Sequence, residues 1–348
     1  MEAITQITPQ AFVAYSSRDA VLANTIALGV SKANRKIGKQ IQYIPWEFND
    51  IAGNPLISPI LDGIEASKYV VADITYLNAN VIYEIGFAIG KSRRCFLLRH
   101  SLIEGDKKIA GEAGIFDTLG YEPYRDDETL SNTLCAYIDP TPLPIAVGLD
   151  RLAPVYVVES PTKGGIDTLM TSRLKKARYK YRSFNPSEDS RLSATDAIRQ
   201  VAISSGVLLS YSDEKQVADQ IHNIRSIFVA GLAHAMNKPT LILAHANTKI
   251  PLDIRDDVKS YSREEDMVRH IADFSLEITD YLQQDDPTPL KTLTQLQSLQ
   301  IGNSTAENEM TTLNSYFLTT DEYSKALRGE ANLVVGRKGT GKTALFIQ

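Results

Sequence analysis

Short apolar runs separated by stretches of helical period set the rhythm of the chain. Residues 11–15 (Ala-Phe-Val-Ala-Tyr) are apolar throughout and run into the polar turn Ser16-Ser17-Arg18-Asp19, after which 21–30 has the spacing of a helix. Residues 41–45 read as a second strand. Residues 57–66 form a helix with Ile57, Ile60, Leu61 and Ile64 on one side, and 69–73 make a third strand. A helix over 81–89 and a fourth strand over 95–98 follow. Strands apolar on both faces, alternating with helices, predict an α/β fold with a parallel, doubly wound sheet.

The rhythm then restarts. Beyond a Pro-rich bridge at 139–144, residues 155–158 and the turn Glu159-Ser160-Pro161-Thr162 match the first strand and its turn. Residues 179–184 match the second strand, 194–202 the next helix, 206–210 the third strand and 240–243 the fourth. A shift of 145 aligns Cys95-Phe96-Leu97-Leu98-Arg99-His100 with Thr240-Leu241-Ile242-Leu243-Ala244-His245, and carries Gly86 onto Gly231 and Ala88 onto Ala233. The chain therefore reads as two tandem doubly wound domains, 1–140 and 152–283. A polar linker over 284–315 and a segment of different character over 316–348 complete it.

Composition narrows the function classes. Hydrophobic residues at 43% and charged residues at 23% are those of an ordinary globular protein. A net charge of −5 argues against a nucleic-acid-coated surface, so nucleic acid is not indicated as a partner. With Cys95 and Cys135 as the only cysteines, neither a disulfide framework nor a cysteine zinc site is expected, and a reducing, cytoplasmic setting fits best. The N-terminus lacks the basic and apolar regions of a signal peptide. No run approaches the ~18 apolar residues of a membrane span. The five histidines show no ligand spacing.

The chemistry concentrates in 71–90, Val-Ala-Asp73-Ile-Thr-Tyr-Leu-Asn78-Ala-Asn80-Val-Ile-Tyr-Glu84-Ile-Gly86-Phe-Ala88-Ile-Gly90. Asp73 ends a parallel strand, on the carboxyl edge where open α/β sheets bind ligands. Glu84 is the one acid of an otherwise apolar helix, so it either faces solvent or points into the cleft above the strand ends. Glycine in a helix costs about 0.8–1 kcal/mol against alanine, so Gly86 and Gly90 imply close packing, expected here against the sheet. Several residues have two readings. Asp73 either binds ligand or caps the following turn. Asn78 and Asn80 either bond a base or cap the helix. Trp46, beside Glu47, either stacks on a base or fills a half-buried edge. Arg18 either meets a phosphate or forms a surface pair with Asp19.

The strand-end Asp followed by Asn-x-Asn-x-x-x-Glu-x-Gly-x-Ala resembles the nucleoside 2-deoxyribosyltransferase-like branch of the TIR-related fold. Residues 12–19 resemble the first strand and loop of TIR domains. The resemblance implies flavodoxin-like/TIR-like domains, with Glu84 stabilising or attacking C1′ of a nucleoside or of NAD as base departs. It implies Asp73 at the ribose hydroxyls and Tyr15, Ser16 and Arg18 lining the pocket. Nicotinamide leaves readily, which fits a motif without histidine.

The second copy departs at the decisive position. The shift of 145 puts Val229 where Glu84 stands and Arg225 where Asn80 stands, and Asp73 falls near Ser210 with about eight extra residues between. Copy two is thus expected to be a degenerate binding or assembly domain. His222 and Arg225 either bind an anion there or lie on a solvated helix face.

Near the end, Gly336-Arg337-Lys338-Gly339-Thr340-Gly341-Lys342-Thr343 is a complete G-x-x-x-x-G-K-[ST] loop between a short apolar strand (332–335) and an apolar helix start (343–347). Gly336, Gly339 and Gly341 let backbone N–H groups close on phosphate, Lys342 reaches the terminal phosphates of ATP, and Thr343 would ligand Mg²⁺. The chain ends at Gln348, before the acid that would complete such a site. The expectation is the front piece of an NTPase. Residues 316–341 resemble bacterial P-loop ATPases carrying such N-terminal domains, several of them in anti-phage defence. That implies a homo-oligomer or a defence-system partner protein.

Overall fold

The computed structural model describes residues 8–49, 57–137, 141–145, 148–161, 165–251 and 254–283, together with Tyr323, Lys325 and Arg328. The phosphate loop, with Gly336, Gly339, Gly341, Lys342 and Thr343, lies outside the described residues, as does the expected linker. Residues Met1–Thr288 form one unit and Pro289–Gln348 another.

Within the first unit the predicted rhythm is present. Copy one runs β1 (Gln10–Ala14), α1 (Ala20–Ile37), β2 (Gln42–Pro45), α2 (Ile57–Ala66), β3 (Tyr69–Asp73), α3 (Ala79–Gly90) and β4 (Arg94–His100). It continues with α4 (Lys107–Ala113), α5 (Ile115–Leu119), β5 (Glu122–Tyr124) and α6 (Asp127–Ala136). Copy two runs β6 (Val155–Val158), α7 (Gly165–Lys176), β7 (Tyr181–Phe184), α8 (Ala194–Ala202) and β8 (Gly206–Tyr211). It closes with α9 (Val217–Ala235), β9 (Thr240–His245), β10 (Val258–Tyr261) and α10 (Glu264–Gln283). Two five-stranded sheets result, ordered β2-β1-β3-β4-β5 and β7-β6-β8-β9-β10, with every pairing parallel. The two orders are the same, position for position, so the duplication extends to topology. The fifth strands, β5 and β10, are short and mostly exposed, and the apolar pattern did not mark them.

Strand alternation divides the side chains between layers. In copy one, Ala11, Val13, Tyr69, Val71, Phe96 and Leu98 pack under α1 and α6. Phe12, Ala14, Val70, Ala72 and Leu97 face the other way, into a core shared with Tyr156, Val158, Val207, Leu209 and Ile242 of copy two. The outer face of the second sheet packs under α7 and α10. The two copies thus share one central core.

α3 and α9 form the seam of that core. Every residue of α3 from Val81 to Ile89 is buried, and a helix buried all round needs a partner on the side away from its own sheet. α9 supplies it. A Cβ on Gly86 would strike the Phe228 carbonyl, and one on Gly231 would strike the Tyr83 carbonyl, both inside the 3.0 Å that Cβ atoms essentially never breach. Tyr83 and Phe228 are themselves related by the shift of 145, so the contact is reciprocal. A Cβ on Gly90 would lie 2.5 Å from the Ala235 Cβ. The expectation that these glycines serve packing against the sheet is therefore corrected. They let α3 and α9 touch backbone to backbone.

Candidate functional site

In a 2-1-3-4-5 sheet the crevice opens between the carboxyl ends of the first and third strands, because the helices after them cover opposite faces. In copy one that place lies between the turns after β1 and β3. After β1, the Ser16 hydroxyl accepts from Arg18 N (3.2 Å). Asp19 Oδ1 accepts from Val21 N (2.9 Å) and Leu22 N (3.1 Å), which starts α1 and lowers the Asp19 pKa. Tyr76, from the other turn, donates to Asp19 Oδ2 (3.2 Å), and the exposed Arg18 guanidinium sits 5.6 Å from the Tyr76 ring centre. Arg18 and Asp19 are thus joined through Tyr76.

After β3, Asn78 caps α3 by accepting from Asn80 N (2.9 Å), and its Nδ2 lies 3.5 Å from the Ser16 hydroxyl, linking the two turns. Ser16, Arg18, Tyr76, Asn78 and Asn80 consequently come together at one sheet edge. Tyr15 and Trp46 meet beside it in an edge-on ring contact with centroids 6.2 Å apart. Burial first, and then the nearby Glu47 carboxylate, push the Tyr15 phenol up.

Asp73 is buried and faces the α1/α6 side of the sheet. Its Oδ1 accepts from Thr75 N (3.0 Å) and its Oδ2 from the Thr75 hydroxyl (3.0 Å) and Tyr124 OH (2.7 Å). Burial pushes its pKa up to about 6, against the lowering effect of those hydrogen bonds. These bonds tie the β3 turn to β5. The same turn is tied to α4: Asp106 Oδ2 accepts from Leu77 N (2.9 Å), and Asp106 N donates to Thr75 O (3.0 Å). Gly105 (φ 49°) passes so near the Thr75 carbonyl that no Cβ fits there.

Glu84 lies in the second turn of α3 and is 4% exposed. At 3.6 residues per turn it shares its flank with Lys91, whose ammonium pairs with Glu65 of α2 at 2.8 Å. Its flank faces α2, so Glu84 and Asp73 occupy opposite sides of the sheet. The motif read Glu84 and Asp73 together, and the fold separates their side chains. Thr75, Tyr76, Asp106 and Tyr124, which complete the site's hydrogen bonding, carried no assignment in the sequence. Only Thr75 had a local signal, as an Asp-x-Thr turn.

The second copy is closed at the equivalent place. Asp73 pairs in register with Leu98 and Ser210 with Leu243, so Ser210 stands at the Asp73 position, near where the sequence placed it once about eight extra residues were allowed. The extra residues before the aligned part of α9 are not a loop. They add two helical turns, and His222, buried in them, packs onto the strand end within 3.0 Å of the Ser210 hydroxyl and 2.9 Å of its carbonyl. Burial holds the His222 pKa down to about 4. Asn223, at the Asn78 position, clasps Ser212 through both backbone groups. Val229, at the Glu84 position, is fully buried.

Arg225 is buried as well, so neither His222 nor Arg225 lies on a solvated face, and that expectation is corrected. The Arg225 guanidinium donates to Ala113 O (3.1 Å) and Glu112 O (2.9 Å) at the end of α4, and to Ser190 O (2.6 Å). It also stacks 4.8 Å from the Phe184 ring centre. α4 is thereby held at its start by the β3 turn and at its end by copy two.

No protein-family model matches the chain, and no curated protein matches it. Among the described residues, no helix is long and apolar enough to cross a membrane.

Proposed function

We propose that copy one is an N-glycosidase-like effector acting on NAD or on a nucleoside or nucleotide, and that copy two braces it. The observation that carries this reading is Glu84: a carboxyl side chain buried in a helix that is otherwise apolar from Val81 to Ile89, beginning at the crevice where Ser16, Arg18 and Asn78 converge. Burying an acid is costly, and such groups concentrate where chemistry needs them.

The chemistry is the cleavage of a C1′–N bond. The bonding pair leaves with the base, the sugar acquires oxocarbenium character, and a carboxylate stabilises that cation or closes on it as an ester that water then opens. Nicotinamide departs neutral, so NAD needs no general acid. Glu84 takes the carboxylate role, Arg18 a phosphate, and Tyr15, Trp46, Asn78 and Asn80 the base and sugar. Asp73 is better suited to holding the β3 turn through Thr75 and Tyr124 than to binding ribose. The phosphate loop (Gly336, Gly339, Gly341, Lys342, with Thr343 for Mg²⁺) would bind ATP in a coupled ATPase, in an anti-phage defence setting with an oligomeric or partner assembly. No step of base release depends on it.

A non-catalytic nucleotide sensor is the second reading, favoured by the buried Val229 at the Glu84 position of copy two, where the fold is kept without the carboxylate that turnover needs. Incubating the protein with NAD⁺ and then with deoxynucleosides, and measuring free base, separates the two. Glu84→Gln keeps the shape and removes the charge, so base release is expected to fall at least about 100-fold with an unchanged melting temperature. Wild-type rates in that variant would refute the glycosidase reading, and intact ligand bound without turnover would favour the sensor.

A further inference from the structure

The end of α7 and the start of β7 concentrate positive charge in a chain whose net charge is −5. Residues 168–182 contain six Lys and Arg and no Asp or Glu. Two of the six have internal tasks. Arg182 is buried, donating to Gln200 Oε1 (2.7 Å) and Ala153 O (3.0 Å), and Arg173 pairs with Glu264 (3.3 Å). The other four, Lys175, Lys176, Arg178 and Lys180, are exposed and form no ion pair among the described residues. They follow one another over the last helical turn, a left-handed turn at Arg178 (φ 63°) and the lead into β7, the edge strand of its sheet. Lys175 is set 5.8 Å from the Tyr181 ring centre. An open hollow lined by Thr168, Thr171, Ser172, Lys175 and Lys176 adjoins the row and offers hydroxyls beside ammonium groups.

We propose that this face of copy two binds the phosphodiester backbone of a nucleic acid. A run of exposed cations from the last turn of α7 into the lead of the edge strand β7 matches a polymer of repeated negative charge, and Lys beside Ser and Thr hydroxyls is the donor set of phosphate contacts. A membrane surface fits less well, because Leu169, Met170 and Leu174 of α7 pack into the core and leave no apolar anchor among the described side chains of that helix. Net charge is a poor guide here, since a screened field is local to about 10 Å.

The test is fluorescence anisotropy with labelled 30-nucleotide single strands and duplexes on the full chain. Four phosphate contacts predict a log–log salt slope of about −2.8 to −3.6, so affinity should weaken roughly 50- to 150-fold between 50 and 200 mM salt. Lys175→Glu/Lys180→Glu should reduce the slope by about 2 with an unchanged melting temperature. If that variant misfolds, Lys175→Gln/Lys180→Gln should reduce the slope by the same amount. Lys39→Glu/Lys249→Glu, exposed lysines elsewhere carrying the same charge change, should leave binding intact. Absence of binding at 50 mM salt, equal loss in the two charge reversals, or binding to phosphatidylserine vesicles in preference to oligonucleotides would each overturn the proposal.

Discussion

Gly86→Ala sets two effects of opposite sign against each other. In an isolated helix the substitution stabilises by about 0.8–1 kcal/mol. Here the new methyl meets the Phe228 carbonyl, with Leu232 N and Phe228 C at 3.2 Å. A backbone carbonyl cannot swing aside as a side chain can, so α3 and α9 must part by about 1 Å. A gap of that size forfeits a quarter to a half of each dispersion contact along the seam. Overpacking of this kind costs about 1–3 kcal/mol, and the rigid neighbour argues for the upper end, which leaves a net loss of about 2 kcal/mol after the helical gain. With a urea m-value near 3 kcal/mol/M, the midpoint should fall by about 0.7 M. Gly231→Ala, its reciprocal against the Tyr83 carbonyl, should behave alike. A midpoint equal to or above wild type in both variants would show that helix propensity outweighs the seam, and that the backbone-to-backbone contact is not what these glycines serve.

Arg225→Met removes the donors to Ala113 O, Glu112 O and Ser190 O while keeping much of the stem. A loss of about 2–4 kcal/mol is expected, with faster amide hydrogen exchange over 104–113. Arg225→Lys should recover little of it, since one ammonium cannot span three carbonyls. Asp73 and His222 should show opposite pH dependences. The folded pKa of Asp73 is raised to about 6, so its contribution is fully present below about 3.8 and is lost as pH rises through 6. Asp73→Asn should therefore gain stability relative to wild type as pH rises from 4 to 7. The folded pKa of His222 is depressed to about 4, so its contribution is present above 6.5 and is lost as pH falls through 4. His222→Gln should gain relative to wild type as pH falls over that range. Urea midpoints at several pH values check both signs.

The α/β class, the parallel strands and the duplication were legible in the chain, because strands buried on both faces must be apolar at every position and helices between them must repeat at 3.6. Allowing about eight extra residues beyond the shift of 145 put Asp73 near Ser210, and the strand register sets the two at the same position. Some local chemistry was legible too: Asn78 caps its helix, one of the two readings its position allowed. What a residue touches across the fold was not. Gly86 and Gly90 announced close packing, but their partner is the opposite copy's helix, which no periodicity names. His222 and Arg225 had a polar signature that suits solvent equally well. Their burial follows from two added turns of α9 and from the ends of α4, elements far apart in sequence. Asp73 and Glu84 sit eleven positions apart in one motif. Whether their carboxyl groups share a side depends on strand alternation and helix phase together, and only the packed sheet set both.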